Sequence, residues 1–159
     1  MSAYIKFDGI DDGESKDKGH KNWSDLLAAS QVVHKPGAGA TGVARRRGSV
    51  VHEDIQCSKL LDAASLKISD SINKQKVFPK VEIHFTTSTN NAGREVYLAY
   101  ELKNVMVTSY SMSGTDQGQP SEHFSLNFEE IKVKYTPIDE KGAKKGDVSY
   151  SWKVEEGEA

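Results

Sequence analysis

The stretch VEIHFTTSTNNAGREVYLAYELK, Val81 to Lys103, decides the fold class. Val81, Ile83 and Phe85 alternate with Glu82 and His84. Beyond Asn90-Asn91-Ala92-Gly93, the residues Val96, Leu98, Tyr100 and Leu102 alternate with Tyr97, Ala99, Glu101 and Lys103. Successive side chains of an extended chain point to opposite faces, so a period of two marks a strand with one face in a core. Two such runs around an Asn/Gly turn read as an antiparallel hairpin.

The same period recurs on both sides. Ala3, Ile5 and Phe7 share one face of a first strand. Val51, Ile55 and Cys57 share another, with His52, Asp54 and Gln56 opposite. Phe124, Leu126 and Phe128 are followed by Ile131, Val133 and Tyr135, and the slip in phase between the two sets predicts a β-bulge near Glu129 and Glu130. Tyr150, Trp152 and Val154 give a last strand. Loops are signalled by Gly114 to Pro120 and by Asp139 to Asp147. One segment departs from the pattern: Leu61, Ala64, Ile68 and Ile72 fall three and four apart, one helical stripe, with Asp62 or Ser65 as N-cap. About eight strands and one short helix predict a mainly β fold, a small antiparallel barrel of two sheets with the helix on its side. The 159 residues fit one domain, 1–159.

Composition narrows the function. A net charge of −2 gives no global pull toward nucleic acid or an anionic membrane, and neither is expected as a partner. No run approaches the ~20 apolar residues of a transmembrane helix. The start, MSAYIKFDGIDDGES, has an Asp where a signal peptide needs an apolar run, so the chain is expected to be made in the cytoplasm and to leave it without a cleaved signal. Cys57 is the one cysteine, which excludes an internal disulfide and a Cys-based zinc site.

The motifs with chemical meaning fail on context. Gly37, Gly39 and Gly42 spell G-x-G-x-x-G, but Val43 to Val51 carries no amphipathic stripe, so the helix that would hold a pyrophosphate is not foreseen. Val43-Ala44 stand where a phosphate-binding P-loop needs Lys-Ser/Thr. Arg45, Arg46 and Arg47 are too few for a nucleic-acid face. Asp8 to Gly13 resembles a calcium loop, yet Ile10 and Gly19 occupy two ligand positions. No pair of His20, His34, His52, His84 and His123 has metal-ligand spacing. No Ser- or Cys-based catalytic arrangement is visible, and no metal or cofactor is expected.

Several segments together resemble the haemolysin-coregulated protein (Hcp) family, the tube proteins of type VI secretion. They are Tyr4-Ile-Lys-Phe-Asp-Gly-Ile with Gly13-Glu-Ser-Lys-Asp-Lys-x-His20, Lys59-Leu-Leu-Asp62-Ala-Ala-Ser65, Glu101-Leu-Lys-Asn-Val105 through Ser109, Phe124 to Phe128 through Tyr135, and Ser151-Trp152. They cover nearly the whole chain in order. Leu66 stands where the family commonly has Pro, and Ala29-Ser30-Gln31 replaces its aromatic-Ser-aromatic stretch. The resemblance implies a small two-sheet β-barrel with one helix. It implies a structural, cargo-carrying protein and not an enzyme. Six copies would form a ring. Rings would stack head to tail into a tube that a contracting sheath expels, with baseplate, spike and effector proteins as partners, in bacterial competition and virulence.

On that basis Ala28, Ser30 and Val32 are expected to line the channel. A loop at about 35–48, with Gly37, Gly39, Gly42, Arg45, Arg46 and Arg47, is expected to reach the next ring. Asp8, Asp11, Asp12 and Glu14 are its expected acidic partners there. Tyr97, Ala99, Tyr110 and Met112 read equally as subunit contacts or half-buried surface. The alternative function is a monomeric β-barrel module binding a ligand or protein.

Overall fold

The computed structural model describes residues 1–35, 50–89 and 93–154. Among them the strands are β1 (Ser2–Phe7), β2 (Ser24–Leu26), β3 (Ala28–Ser30), β4 (Val33–His34), β5 (Val51–His52), β6 (Ile55–Leu60), β7 (Phe78–Thr89), β8 (Gly93–Ser113), β9 (Ser121–Asn127), β10 (Glu130–Tyr135) and β11 (Val148–Lys153). The helix is α1 (Ser65–Asn73).

All ladders are antiparallel. The order is β2-β1-β7-β8-β9-β6-β3, with β10 pairing β8 and β11. The long strand β8 belongs to two layers. Its first part, to Val105, pairs with β7 and β10 in sheet A, and Met106 to Ser113 pairs with β9 in sheet B. The change of layer falls at Asn104, whose φ of 51° turns the chain and whose side-chain amide donates to Glu129 Oε2 at 2.8 Å. Asn is among the few residues that tolerate this left-handed backbone.

The predicted class is what the structure shows, with one difference: among the described residues the ring of hydrogen bonds is not closed. β2 ends sheet A and β3 ends sheet B, and they are consecutive in the chain. The break is at Leu27, which is 61% exposed, between buried Leu26 and Ala29 on the core. Those two core positions lie three apart, with Leu27 and Ala28 between them, so the period of two is lost there. Leu27 N–H still donates to Ser58 O at 2.8 Å and keeps the corner tied to β6.

The core lies between the sheets. Ile5, Val81, Ile83, Leu102 and Ile131 come from sheet A, Ile55, Phe124 and Leu126 from sheet B, and Ile68 from the helix, each with no more than 1% exposure. Burying such side chains contributes ~1.5–3 kcal/mol each. The stripe on α1 is real at Ala64, Ile68 and Ile72, while Leu61 precedes the helix. Neither expected cap occupies the N-cap position, which is Ala64. Asp62 and Ser65 act beside it: Ala64 N–H donates to Asp62 Oδ1 at 3.0 Å, and Asp62 N–H to Ser65 Oγ at 2.9 Å.

Other details of the alternation are corrected. The slip after Phe128 is a corner, where the chain leaves β9 in sheet B and enters β10 in sheet A. The bulges lie elsewhere, at Phe85/Thr86 and Val107/Ser109. The first puts Val96 opposite buried Thr86, on the other face from Leu98. The second turns Tyr110 toward Phe124 and the core. Val51 is exposed in the separate β4–β5 ribbon and does not continue the buried face of Ile55 and Cys57.

Candidate functional site

The outer face of sheet B is the most distinctive surface. Register fixes its rows: Ala28 lies opposite Ser58, which faces His123, which faces Ser111. One row along, Ser30, Gln56, Ser125 and Ser109 stand side by side. Ser121 and Ser113 pair at the end. Across four strands this face carries neither an acid nor a lysine or arginine. Most of its side chains are short, Gln56 and His123 being the longer ones in these rows, and the hydroxyls bond one another, Ser109 Oγ lying 2.5 Å from Ser125 Oγ. Thr108, displaced by the bulge, donates to Asp54 Oδ2 at 2.7 Å, and Asn127 Nδ2 donates to Asp54 Oδ1 at 3.0 Å. The opposite face of the same strands supplies Ile55, Cys57, Phe124 and Leu126 to the core. Strand alternation therefore dictates this smooth, neutral wall once the core face is set.

Ala28 and Ser30 sit on this wall, both exposed, and Val32 lies just past β3 with 44% exposure. Sequence reading missed Ser58, Ser109, Ser111 and Ser125. Their signal was the small polar set alternating with Val107, Tyr110 and Phe124, but the bulge hides its phase. Met112 stands 46% exposed, Tyr97 and Ala99 are half-buried, and Tyr110 faces inward with its hydroxyl donating to Glu122 Oε2 at 2.5 Å.

The expected stacking loop is rooted in a ribbon: Val33 pairs with His52 and His34 with Val51. Gly37, Gly39, Gly42, Arg45, Arg46 and Arg47 lie outside the described residues. The acidic turn after β1 is described. Asp8 is exposed. Asp11 pairs with Lys6, whose hydrogen bond holds the carboxyl below the usual carboxylate range. Asp12 pairs with Lys67 of α1. Glu14 Oε2 accepts the Ala63 N–H at 2.9 Å, just before the helix. The turn is thus fastened to the helix at two points.

Two of the sequence motifs, Lys59–Ser65 and Gly13–His20, become polar knots. Lys59 is fully buried in β6, 2.5 Å from Glu122 Oε1 of β9 and 2.8 Å from Asp62 Oδ1. It also donates to Ser65 Oγ at 3.0 Å. Burial would raise the Asp62 pKa, but the hydrogen bonds from Lys59 and Ser24 and the Lys59 charge bring it below the ordinary value. Tyr110 is pushed up, by burial and by the Glu122 carboxylate. Breaking such a pair on one side leaves an uncompensated charge in the interior.

The second knot joins Gly13–His20 to sheet A. His20 is 5% exposed. Its ring stacks on Tyr4 with centroids 4.3 Å apart and meets the edge of Trp23. His20 Nδ1 lies 2.6 Å from Asp17 Oδ2, and Nε2 lies 3.0 Å from His84 Nδ1. Beside it a cleft of about 570 Å³ is lined by Tyr4, Lys16, Lys18, Asp25 and Arg94. Among the described residues no group of three or more His, Cys, Asp or Glu is arranged to hold a metal ion, and no helix is long and apolar enough to cross a membrane.

The fold and its wall define a class, a two-sheet β protein whose prominent surface is a sheet face with no acid, lysine or arginine in its four-strand rows. The family model described as type VI secretion system effector, Hcp, matches residues 4–135. Protein hcp1 of Pseudomonas aeruginosa is 31% identical over 159 residues, covering 97% of this chain and 95% of its own. A solved type six secretion system protein superposes with a TM-score of 0.89 at 26% identity, covering 99% of this chain and 98% of its own. Hcp1 from Salmonella typhimurium has the same fold, with a TM-score of 0.79, 24% identity and coverage of 99% and 97%. The chain belongs to the Hcp family, and it is a type VI secretion tube and effector protein.

Proposed function

We propose that the chain folds as one domain and acts as a structural tube subunit. Six copies close head to tail into a ring with the outer face of sheet B toward a central channel. The observation that carries this reading is the four-strand wall of Ala28, Ser30, Ser58, Ser109, Ser111 and Ser125, neutral and short-chained. Along these rows a passing protein surface meets no acidic or basic side chain, and the Asp54 carboxylate at the margin is tied to Thr108 and Asn127. Sheet B pairs with no further strand beyond β3 among the described residues. That edge offers backbone groups to a neighbouring copy, a heterologous contact of the kind that closes rings.

In this reading the rings stack, carry or chaperone effector proteins, and leave the cytoplasm with the sheath, baseplate and spike as partners. The chain performs no catalytic step of its own. Arg45, Arg46 and Arg47 reach toward Asp8, Asp11, Asp12 and Glu14 of the next ring. Three of those acids already have partners within the subunit, so an arriving arginine shares them. Each rim pair contributes ~0–1 kcal/mol, which sixfold repetition multiplies and salt weakens.

Mass in solution tests the ring. A species near six times 17.5 kDa supports it, and a strict monomer at every concentration overturns it. For the channel, Ser30→Trp is expected to leave the ring mass unchanged and to abolish retention of effector. Unchanged retention removes Ser30 from the wall. For stacking, a triple Arg→Ser change at 45, 46 and 47 is expected to leave single rings, and normal stacking rules those arginines out.

A further inference from the structure

Four titratable groups stand in line between the 13–23 loop and β7: Asp17, His20, His84 and Glu82. The distances are 2.6 Å from Asp17 Oδ2 to His20 Nδ1, 3.0 Å from His20 Nε2 to His84 Nδ1, and 3.6 Å from His84 Nε2 to Glu82 Oε2. Tyr4 stacks on His20, and Trp23 packs against both imidazoles, its ring centroid 4.5 Å from that of His84. We propose that the His20–His84 pair is an acid-released clasp holding the 13–23 loop against β1 and β7.

The argument is a count of protons. The Asp17 carboxylate only accepts, so His20 Nδ1 carries a hydrogen. One hydrogen then lies between His20 Nε2 and His84 Nδ1. With one proton added the pair holds three hydrogens, one toward Asp17, one toward Glu82 and one shared across the 3.0 Å bond, which keeps a donor and an acceptor. A second makes both rings imidazolium. Two N–H groups then meet head-on across 3.0 Å, and neither ring accepts. The hydrogen bond becomes a repulsion between like charges in a half-dry site.

The surroundings do not cancel that repulsion. From β1 come Tyr4, whose hydroxyl accepts from Arg94, and Lys6 opposite Glu82. From β7 comes Lys80, which occupies the other oxygen of Glu82 at 2.8 Å. From β8 come Arg94 and Glu101, the latter opposite Glu82. From the cleft come Lys16, Lys18 and Asp25. Burial first, then the charge of His20, lowers the His84 pKa, against a smaller opposing pull from Glu82. The sign follows from linkage. The open loop binds the second proton and the closed loop refuses it. Closure is therefore complete above the ordinary histidine value of 6.5 and weakens as the pH falls below it.

Hydrogen exchange at the loop amides tests the clasp. Ser15, His20 and Trp23 N–H are each bonded within the loop, at 2.9, 3.1 and 3.1 Å. Corrected for intrinsic rate, their protection is expected to fall up to about tenfold per pH unit below ~6.5, while β7 and β8 amides hold. In His84→Asn the side-chain amide presents its N–H to the neutral His20 Nε2 and its oxygen to the protonated one, and it takes no proton itself, so protection stays flat. A flat wild-type profile, or the same fall in His84→Asn, overturns the proposal. Imidazole nitrogen resonances of the unaltered protein give a reading independent of that variant. The second proton is expected to enter in the interval in which protection is lost, and two charged rings beneath a protected loop would refute the clasp. Ring formation, read by mass, bears on neither measurement.

Discussion

Three positions show how much one side chain or its absence decides. Gly13 passes so near Trp23 that an added Cβ would stand 2.2 Å from the Trp23 carbonyl carbon, which is backbone and cannot swing aside. Gly13→Ala is expected to cost ~1–3 kcal/mol in urea unfolding and to disturb Trp23 fluorescence. Lys59 is expected to be dearer. Lys59→Met strands Glu122 in the interior and should destabilise by ~3–5 kcal/mol, while Lys59→Met with Glu122→Leu should recover most of that loss. A double change as damaging as the single one would refute this account of the knot. Cys57 belongs to the same scale. Burial pushes its thiol up to about 12, so a thiol reagent at neutral pH should label it only as fast as the barrel unfolds. The sequence offered notice of Cys57 by its phase with Ile55, and of Lys59, Asp62 and Ser65 by the Hcp-like motif they form. It gave none of Glu122, which is 63 residues from Lys59 and meets it only because β6 pairs with β9.

Elements differ in how openly the sequence announces them. Strands of six or more residues with one face in the core, such as β1, β6 and β9, repeat the period of two often enough to be read. β2, β3, β4 and β5 have two or three residues each, too short for any period to be seen. A bulge deletes the signal in another way, by moving every later side chain to the other face, as at Tyr110. The helix is a sharper test, because two of its three apolar positions behave oppositely. Ile68 is fully buried and Leu66 is 69% exposed. Ile68→Ala is expected to lower stability by ~2–5 kcal/mol, and Leu66→Ala by less than ~0.5 kcal/mol, in the same denaturant titration. Equal losses would mean that α1 packs by a face other than the one described.

For the whole molecule, stability should peak between neutral and mildly alkaline pH and fall in two stages on acidification. The first stage belongs to His84, whose lowered pKa means that unfolding takes up a proton below about 6.5. The second belongs to Asp62 and Asp17. Both are held below 3.8, Asp62 by Lys59 and Ser24 against its burial, and Asp17 by the hydrogen bond from His20. Their contribution is present above 3.8 and is lost as the pH drops through their folded values. Thermal melts across this range check the order of the stages, and a single step near pH 4 would deny His84 its part. The same scale holds the outer face of sheet B: its rows cross four strands, and no segment of the chain contains a whole row.

What the sequence determined by itself is local. Alternation set the β class, the helical stripe set α1, and the order of motifs pointed to the Hcp family. Tertiary structure decided what each second face meets. The serine wall, the Lys59–Glu122 pair and the His20–His84 contact join residues far apart in the chain, and only strand pairing, register and bulges bring them within a few ångströms. Periodicity records that a side chain faces away from its neighbour, and the partner it faces is fixed by the packing of the other strands.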